Sequence, residues 1–323
     1  MYIGGLNERG LVGMLADMID DELIIPGNRF SHVKVALLPD DFYQIEFIGD
    51  VFDIQPRHFV EFVTHGANSW GADLVVIAAL SDPLDVEVIR EGQRWRQRLV
   101  AGVPLEPATR DRIDLPSVLR LKYRPDPSLF KNLTLPSFRF IGRIQEFAIF
   151  HPNTIFEIDD RRAGWSSRRF HYPLGLRDYI HELEYDLIHL GEQSSPLHLE
   201  ISEGPNRAQA VLLPTHFAEY VIRSYANHHR TPDGGTHVKA FESAFQRIAS
   251  EFKDRDGYPF YCHDDRDSLH GLTVLLAVEL ADISYYGATK ARLDGELPAK
   301  LVTQMINEQL PPLLKQKTAH SRR

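Results

Sequence analysis

Ser224-Tyr-Ala-Asn-His-His-Arg-Thr-Pro-Asp-Gly-Gly-Thr-His-Val-Lys-Ala-Phe241 is the stretch on which the fold turns. It reads as a strand end, a polar turn and a helix start. Pro232-Asp233-Gly234-Gly235 supplies the turn, because glycine takes positive φ at no steric cost. Thr236 is expected to be the N-cap, and Phe241, Ala244, Phe245 and Ile248 then recur at helical spacing. By pattern alone, this is a structural connector.

Composition bounds what surrounds it. The chain has 323 residues, 43% of them hydrophobic, which is enough for two cored domains. A net charge of -9 excludes free-standing, non-specific DNA binding, which needs a basic footprint. The single Cys262 excludes an internal disulfide framework and suits a reducing cytoplasm. Met1 is not followed by a basic region and an apolar core, and the run Leu74 to Leu80 is far too short to span a bilayer. The expectation is a soluble, cytoplasmic chain with no membrane partner.

Asn227, Asp233-Gly234-Gly235-Thr236-His237 and Phe241 resemble the segment that opens the transducer domain of DNA gyrase B subunits and their topoisomerase IV relatives. The start of the chain carries a second likeness. Met1-Tyr2-Ile3-Gly4, then Glu8-Arg9-Gly10-Leu11, is similar to the opening motif and first helix of that family's GHKL (Bergerat-type) ATPase domain. Read from the residues, Gly10 to Leu23 is a helix with Leu11, Met14, Leu15, Met18 and Ile19 on one face. Val33 to Leu37 and Tyr43 to Phe47 alternate as antiparallel strands around Pro39-Asp40-Asp41.

The resemblance implies that a glutamate on the first helix activates water and an asparagine one turn later holds magnesium. The matching positions here are Asp17 and Asp21. Their i, i+4 spacing puts both on one helix face, and a carboxylate is a good ligand for a hard cation. Aspartate at 17 is one methylene short of glutamate. The alternative is a solvated acidic face shared with Asp20 and Glu22.

Other departures concern the nucleotide. Where the family places the aspartate that accepts from the adenine amine, this chain has Phe47 or Ile45, with Glu46 directed to the opposite face. Between Arg57 and Leu80 the family has a long lid and a glycine-rich phosphate loop. Here Phe59 to Thr64 replaces the lid, and Gly66 and Gly71 remain around Trp70, which crowds the place of a triphosphate. Two glycines entering a helix are equally an ordinary helix-entry loop. Ser117 matches a family threonine that touches the nucleotide pocket.

Asp85 to Leu105 reads as two strands around Arg90-Glu91-Gly92, and Phe138 to Phe150 as an amphipathic helix. Thr154 to Ile158 and Arg168 to Tyr172 form a hairpin, and a domain boundary is expected near Tyr172, giving 1–172 and 173–323. Strands Leu197 to Ser202, Arg207 to Leu213 and Gly271 to Leu280 follow, then a helix from Pro298 to Leu314 and a basic, solvated tail from Lys315. Tyr286-Gly287-Ala288-Thr289-Lys290 resembles the loop whose lysine reaches the γ-phosphate, so Lys290 joins the candidate nucleotide-binding set. Cys262, His263, Asp264, Asp265, Asp267 and His270 cluster in sequence but fit no familiar metal spacing, and no metal site is expected.

The resemblance covers Met1 to about Leu314. It implies an α+β chain: an ATPase-like domain with a shortened lid, then a ribosomal-protein-S5-like transducer domain, each with a mixed sheet covered by helices on one face. The family's N-terminal arm and its metal-binding TOPRIM region lie outside the matched part, so this chain is not expected to cleave DNA by itself. Three readings stay open. One is a non-hydrolysing pseudo-ATPase scaffold that binds a protein partner or its own copy, needing no cofactor. Another is a working module using Mg-ATP to control DNA topology. The third is a different small-molecule or metal-dependent enzyme on a reused fold.

Overall fold

The computed structural model describes residues 5–24, 29–50, 72–135, 137–162, 166–187, 195–215, 219–253, 258–260, 269–287 and 290–320. The chain separates into two units, Met1–Pro173 and Leu174–Arg323.

The first unit opens with helix α1, Glu8–Ile24. It starts ahead of Gly10 because the Asn7 side-chain oxygen accepts from the backbone N–H of Arg9 at 3.0 Å and of Gly10 at 3.4 Å, a side-chain N-cap. Leu11, Met14, Leu15, Met18 and Ile19 are all buried, as the helical period requires. Strands β1 (Arg29–Leu37) and β2 (Tyr43–Asp50) pair antiparallel across the turn Pro39–Asp41. Helix α2 (Ala72–Ala79) leads into β3 (Ser81–Arg90), β4 (Gln93–Val100), β5 (Val103–Pro104), β6 (Thr109–Arg112) and β7 (Val118–Pro125). The β3–β4 turn uses Glu91 and Gly92 at φ 51° and 72°, the left-handed pair that matches strand twist. Helix α3 (Ser137–Phe150) and the hairpin β8 (Ile155–Asp160) and β9 (Ser166–Phe170) complete the unit.

Among the described residues these nine strands form one sheet, in the order β5-β4-β3-β7-β2-β1-β8-β9, with β6 also on β4. Only β1 and β8 run parallel in it, so the sheet is mixed. One face is apolar: Val33, Val35, Ile45, Phe47, Leu119, Leu121, Val86 and Phe156 are all buried. The other face carries one in-register row across seven strands, Arg169, Glu157, Lys34, Glu46, Arg120, Glu87 and Arg96, alternating in sign throughout. Opposite charges directly across a sheet stabilise the pairing, whereas like charges there would oppose it.

The second unit comprises α4 (Leu176–Leu187), β10 (Leu197–Glu203), β11 (Asn206–Pro214), β12 (Tyr220–Ala226), β13 (His229–Arg230) and α5 (Thr236–Phe252). It continues with β14 (Leu272–Glu279), β15 (Ser284–Tyr285), β16 (Leu293–Asp294) and α6 (Glu296–His320). The sheet order is β10-β11-β14-β12-β13, with β12 and β14 parallel. Phe241, Phe245, Ile248 and Phe252 of α5 pack with Leu301, Met305 and Ile306 of α6 against Val274, Leu276 and Val278 of β14. Burying each of those phenylalanines contributes on the order of 2–3 kcal/mol.

Two expectations are corrected here. Helices do not cover a single face of this sheet: α4 packs on β11 from the side away from α5 and α6, and every residue from Leu272 to Val278 is buried. The last helix does not end at Leu314: α6 runs on to His320, with Lys315 and Gln316 exposed on it. On the sheet edge, the Gln309 amide accepts from the Glu200 N–H at 2.9 Å and donates to the Glu200 carbonyl, occupying backbone groups that an open edge would expose. No helix among the described residues is long and apolar enough to cross a membrane.

Candidate functional site

The first group of candidate residues sits in the first unit. Asp17 is half-buried on α1, and Asp21 lies one turn later; of Asp21 only the helical backbone is described. The alternative of a solvated acidic face shared with Asp20 and Glu22 does not hold for those two residues: Asp20 is 7% exposed and Glu22 only 2%. Helix periodicity places positions 17 and 21 on a common face, but burial around them depends on what packs there, which the local sequence does not encode.

On β2 the apolar substitutions are core residues. Tyr43, Ile45 and Phe47 are all buried on the apolar face, and the Phe47 ring lies 5.0 Å from that of Phe30. Glu46 points the other way, as the strand period demands. Its carboxylate accepts from Gln44 Nε2 at 2.6 Å and from Arg120 Nε at 2.9 Å, and Arg120 also donates to Glu87. Whichever register is chosen between 45 and 47, no carboxylate stands on the apolar face of this stretch. Ser117 is half-buried just before β7, and its carbonyl accepts from the Gly49 N–H at 3.1 Å. Gly66, Trp70, Gly71 and the residues in place of the lid lie outside the described residues.

The second group is the signature stretch in the second unit. Asn227, at φ 53°, ties the end of β12 to the end of β14: its side-chain oxygen accepts from the Leu280 N–H at 2.8 Å and its backbone N–H donates to Val278 at 2.7 Å. Beneath the turn, Ser224 Oγ and Thr231 Oγ1 stand 2.7 Å apart and Thr231 Oγ1 lies 3.3 Å from His237 Nε2, all three residues buried. Burial pushes the His237 imidazole down to about 4, so it is neutral at ordinary pH. The expected Thr236 cap is corrected: Gly235 occupies the cap position without any side-chain hydrogen bond, and Thr236 is the first helical residue.

Gly235 fills that position for a reason outside its own turn. It bridges to Leu293 at the start of β16, where backbone approaches backbone too closely for a side chain. Two further bonds fasten the turn to the same segment, from Asp233 N to Ala291 O at 2.9 Å and from Leu293 N to Gly234 O at 3.0 Å. The clasped segment carries Lys290, at φ 54°, whose Nζ lies 2.8 Å from His229 Nε2. His229 in turn lies against His228, with ring centroids 4.5 Å apart and the rings tilted at 58°, and meets Tyr285 edge-on at 6.3 Å. The structure thus joins two sequence-separated motifs, the glycine turn and the lysine loop. Sequence reading missed His229 and Leu293; the His-His pair was visible, but nothing local shows what it touches. Ala288, Thr289 and the segment from Cys262 to Asp267 lie outside the described residues.

Comparison with known proteins agrees with this architecture. Residues 175–323 match the family model for DNA gyrase B. The chain is 26% identical over 344 residues to the DNA gyrase B subunit of Thermotoga maritima, covering 96% of this chain and 53% of that protein. It is 24% identical to the DNA topoisomerase 4 B subunit of Staphylococcus epidermidis, covering 98% of this chain and 52% of the relative. It therefore spans about half the length of the curated relatives it matches. Among solved structures, the 43K ATPase domain of Thermus thermophilus gyrase B, in complex with an aminocoumarin, shares the fold. The TM-score is 0.78 at 23% identity, covering 100% of this chain and 90% of that one. The B-subunit of the DNA gyrase from Myxococcus xanthus does so with a TM-score of 0.75 at 21% identity, covering 98% and 96%.

Proposed function

From a chain that is gyrase-B-like over nearly its whole length, in fold and in sequence, we propose a non-hydrolysing interaction module in which the nucleotide site has decayed. The observation that carries this reading is the apolar face of β2. An adenine amine held there would face Ile45 and Phe47, both fully buried, while Glu46 is committed to Arg120 on the other side. Leaving a buried donor without an acceptor costs about 1–3 kcal/mol, roughly tenfold to a hundredfold in affinity. Asp17, Asp21, Gly66, Gly71, Ser117 and Lys290 are then remnants. Such a module works in the cytoplasm through a protein partner or its own copy, without a cofactor and without binding DNA by itself.

The second reading is an ATPase module using Mg-ATP in a type II topoisomerase-like system. It is favoured by Asp17 and Asp21 on one helix and by the clasped loop bearing Lys290. Thermal unfolding with millimolar Mg-ATP separates the two. A ligand at about 100 times its dissociation constant adds roughly 2.7 kcal/mol, a rise of at least a few degrees. No rise and no phosphate release are expected; a rise that Lys290→Ala abolishes would establish the second reading instead.

A further inference from the structure

We propose that His229 parks Lys290: the imidazole holds the lysine ammonium within the second unit, so any anion that is to use this lysine must first take it from the histidine. This rests on the reading of Lys290 as a remnant of a nucleotide site and deepens it, because it says where the lysine's charge now goes. Both partners are placed by rigid neighbours. Lys290 is carried by the segment fastened through Ala291 and Leu293 to the glycine turn, and Tyr286 N closes the same loop on Arg292 O at 2.9 Å. His229 belongs to β13, which pairs with β12, and Tyr285, meeting its ring, donates its hydroxyl to the Ala226 carbonyl at 2.9 Å. The 2.8 Å contact therefore joins two elements whose backbones are preset, although the Lys290 side chain itself is exposed.

The contact has a consequence that a merely nearby lysine would lack. An ammonium has only donors, so Nε2 of His229 is the acceptor and the ring proton of the neutral imidazole sits on Nδ1. Long-range nitrogen–proton correlation spectra of histidine-labelled protein, taken without nucleotide near neutral pH, read this directly. The expected result is an unprotonated Nε2 at His229, a tautomer change on Lys290→Met, and retention of the original tautomer on Lys290→Arg, which keeps a donor. The resonances of buried His237 serve as the fold control in each variant. A protonated Nε2 in the unaltered protein, or a tautomer indifferent to Lys290→Met, would overturn the proposal. Neither outcome depends on ATP, whose binding is tested separately by the thermal shift.

Discussion

A Cβ on Gly235 would stand 2.2 Å from the Leu293 carbonyl oxygen and 2.7 Å from its nitrogen. The same residue holds φ 143°, a conformation that disfavours any L side chain. Gly235→Ala is therefore expected to lower stability by about 2–4 kcal/mol, through strain and through separation of the turn from β16. Equilibrium denaturation measures the loss. Hydrogen exchange should localise it to residues 290–294 and the start of α5; uniform exchange with unchanged stability would refute the clasp.

Arg120 stands between Glu46 and Glu87, whose side chains are 18% and 17% exposed. Arg120→Met leaves two carboxylates facing each other across β7, on the two strands that flank it. A loss of about 1–2 kcal/mol is expected, between the ranges for exposed and buried pairs. Adding Glu46→Gln should recover part of it, and high salt should narrow the gap between the protein and the single variant. A gap that salt leaves untouched would assign the effect to packing.

Phe47 is fully buried against Phe30, so it is a core residue whatever its ancestry. Phe47→Ala is expected to destabilise by about 3–5 kcal/mol. Phe47→Asp should do worse, because it buries an unpaired charge, and should not confer ATP binding. A well-folded Phe47→Asp protein would mean that this position borders a cavity.

His237 gives a pH dependence with a definite sign. Its folded-state value of about 4 lies below the ordinary 6.5, so between the two the unfolded chain binds a proton that the folded chain does not. Its contribution is fully present above about pH 6.5 and is lost as pH falls towards 4, by on the order of 3 kcal/mol. Urea denaturation across this window should show a shallower slope for His237→Gln; equal slopes would place the titration elsewhere.

Local chemistry was legible in the residues themselves. The apolar period of α1, the alternation of β1 and β2, the two strands around Arg90-Glu91-Gly92 and the strand-turn-helix around Asp233-Gly234-Gly235 all follow from dihedral preference and from which face must be dry. The gyrase-B-like architecture was legible too, because its motifs keep their order along the chain. Capping was less so: Asn7 starts α1 ahead of the expected Gly10, and Gly235 took the cap position expected of Thr236 because a distant backbone needed the space. The sequence by itself thus determined which elements form and which family pattern they follow. Only the tertiary structure decided that Asp20 and Glu22 are buried, that Glu46 belongs to Arg120, that Gly235 clasps Leu293 and that Lys290 meets His229. Each of these joins residues far apart in the chain or depends on what packs over them, and such contacts arise from the mutual placement of whole elements rather than from any preference of the residues that make them.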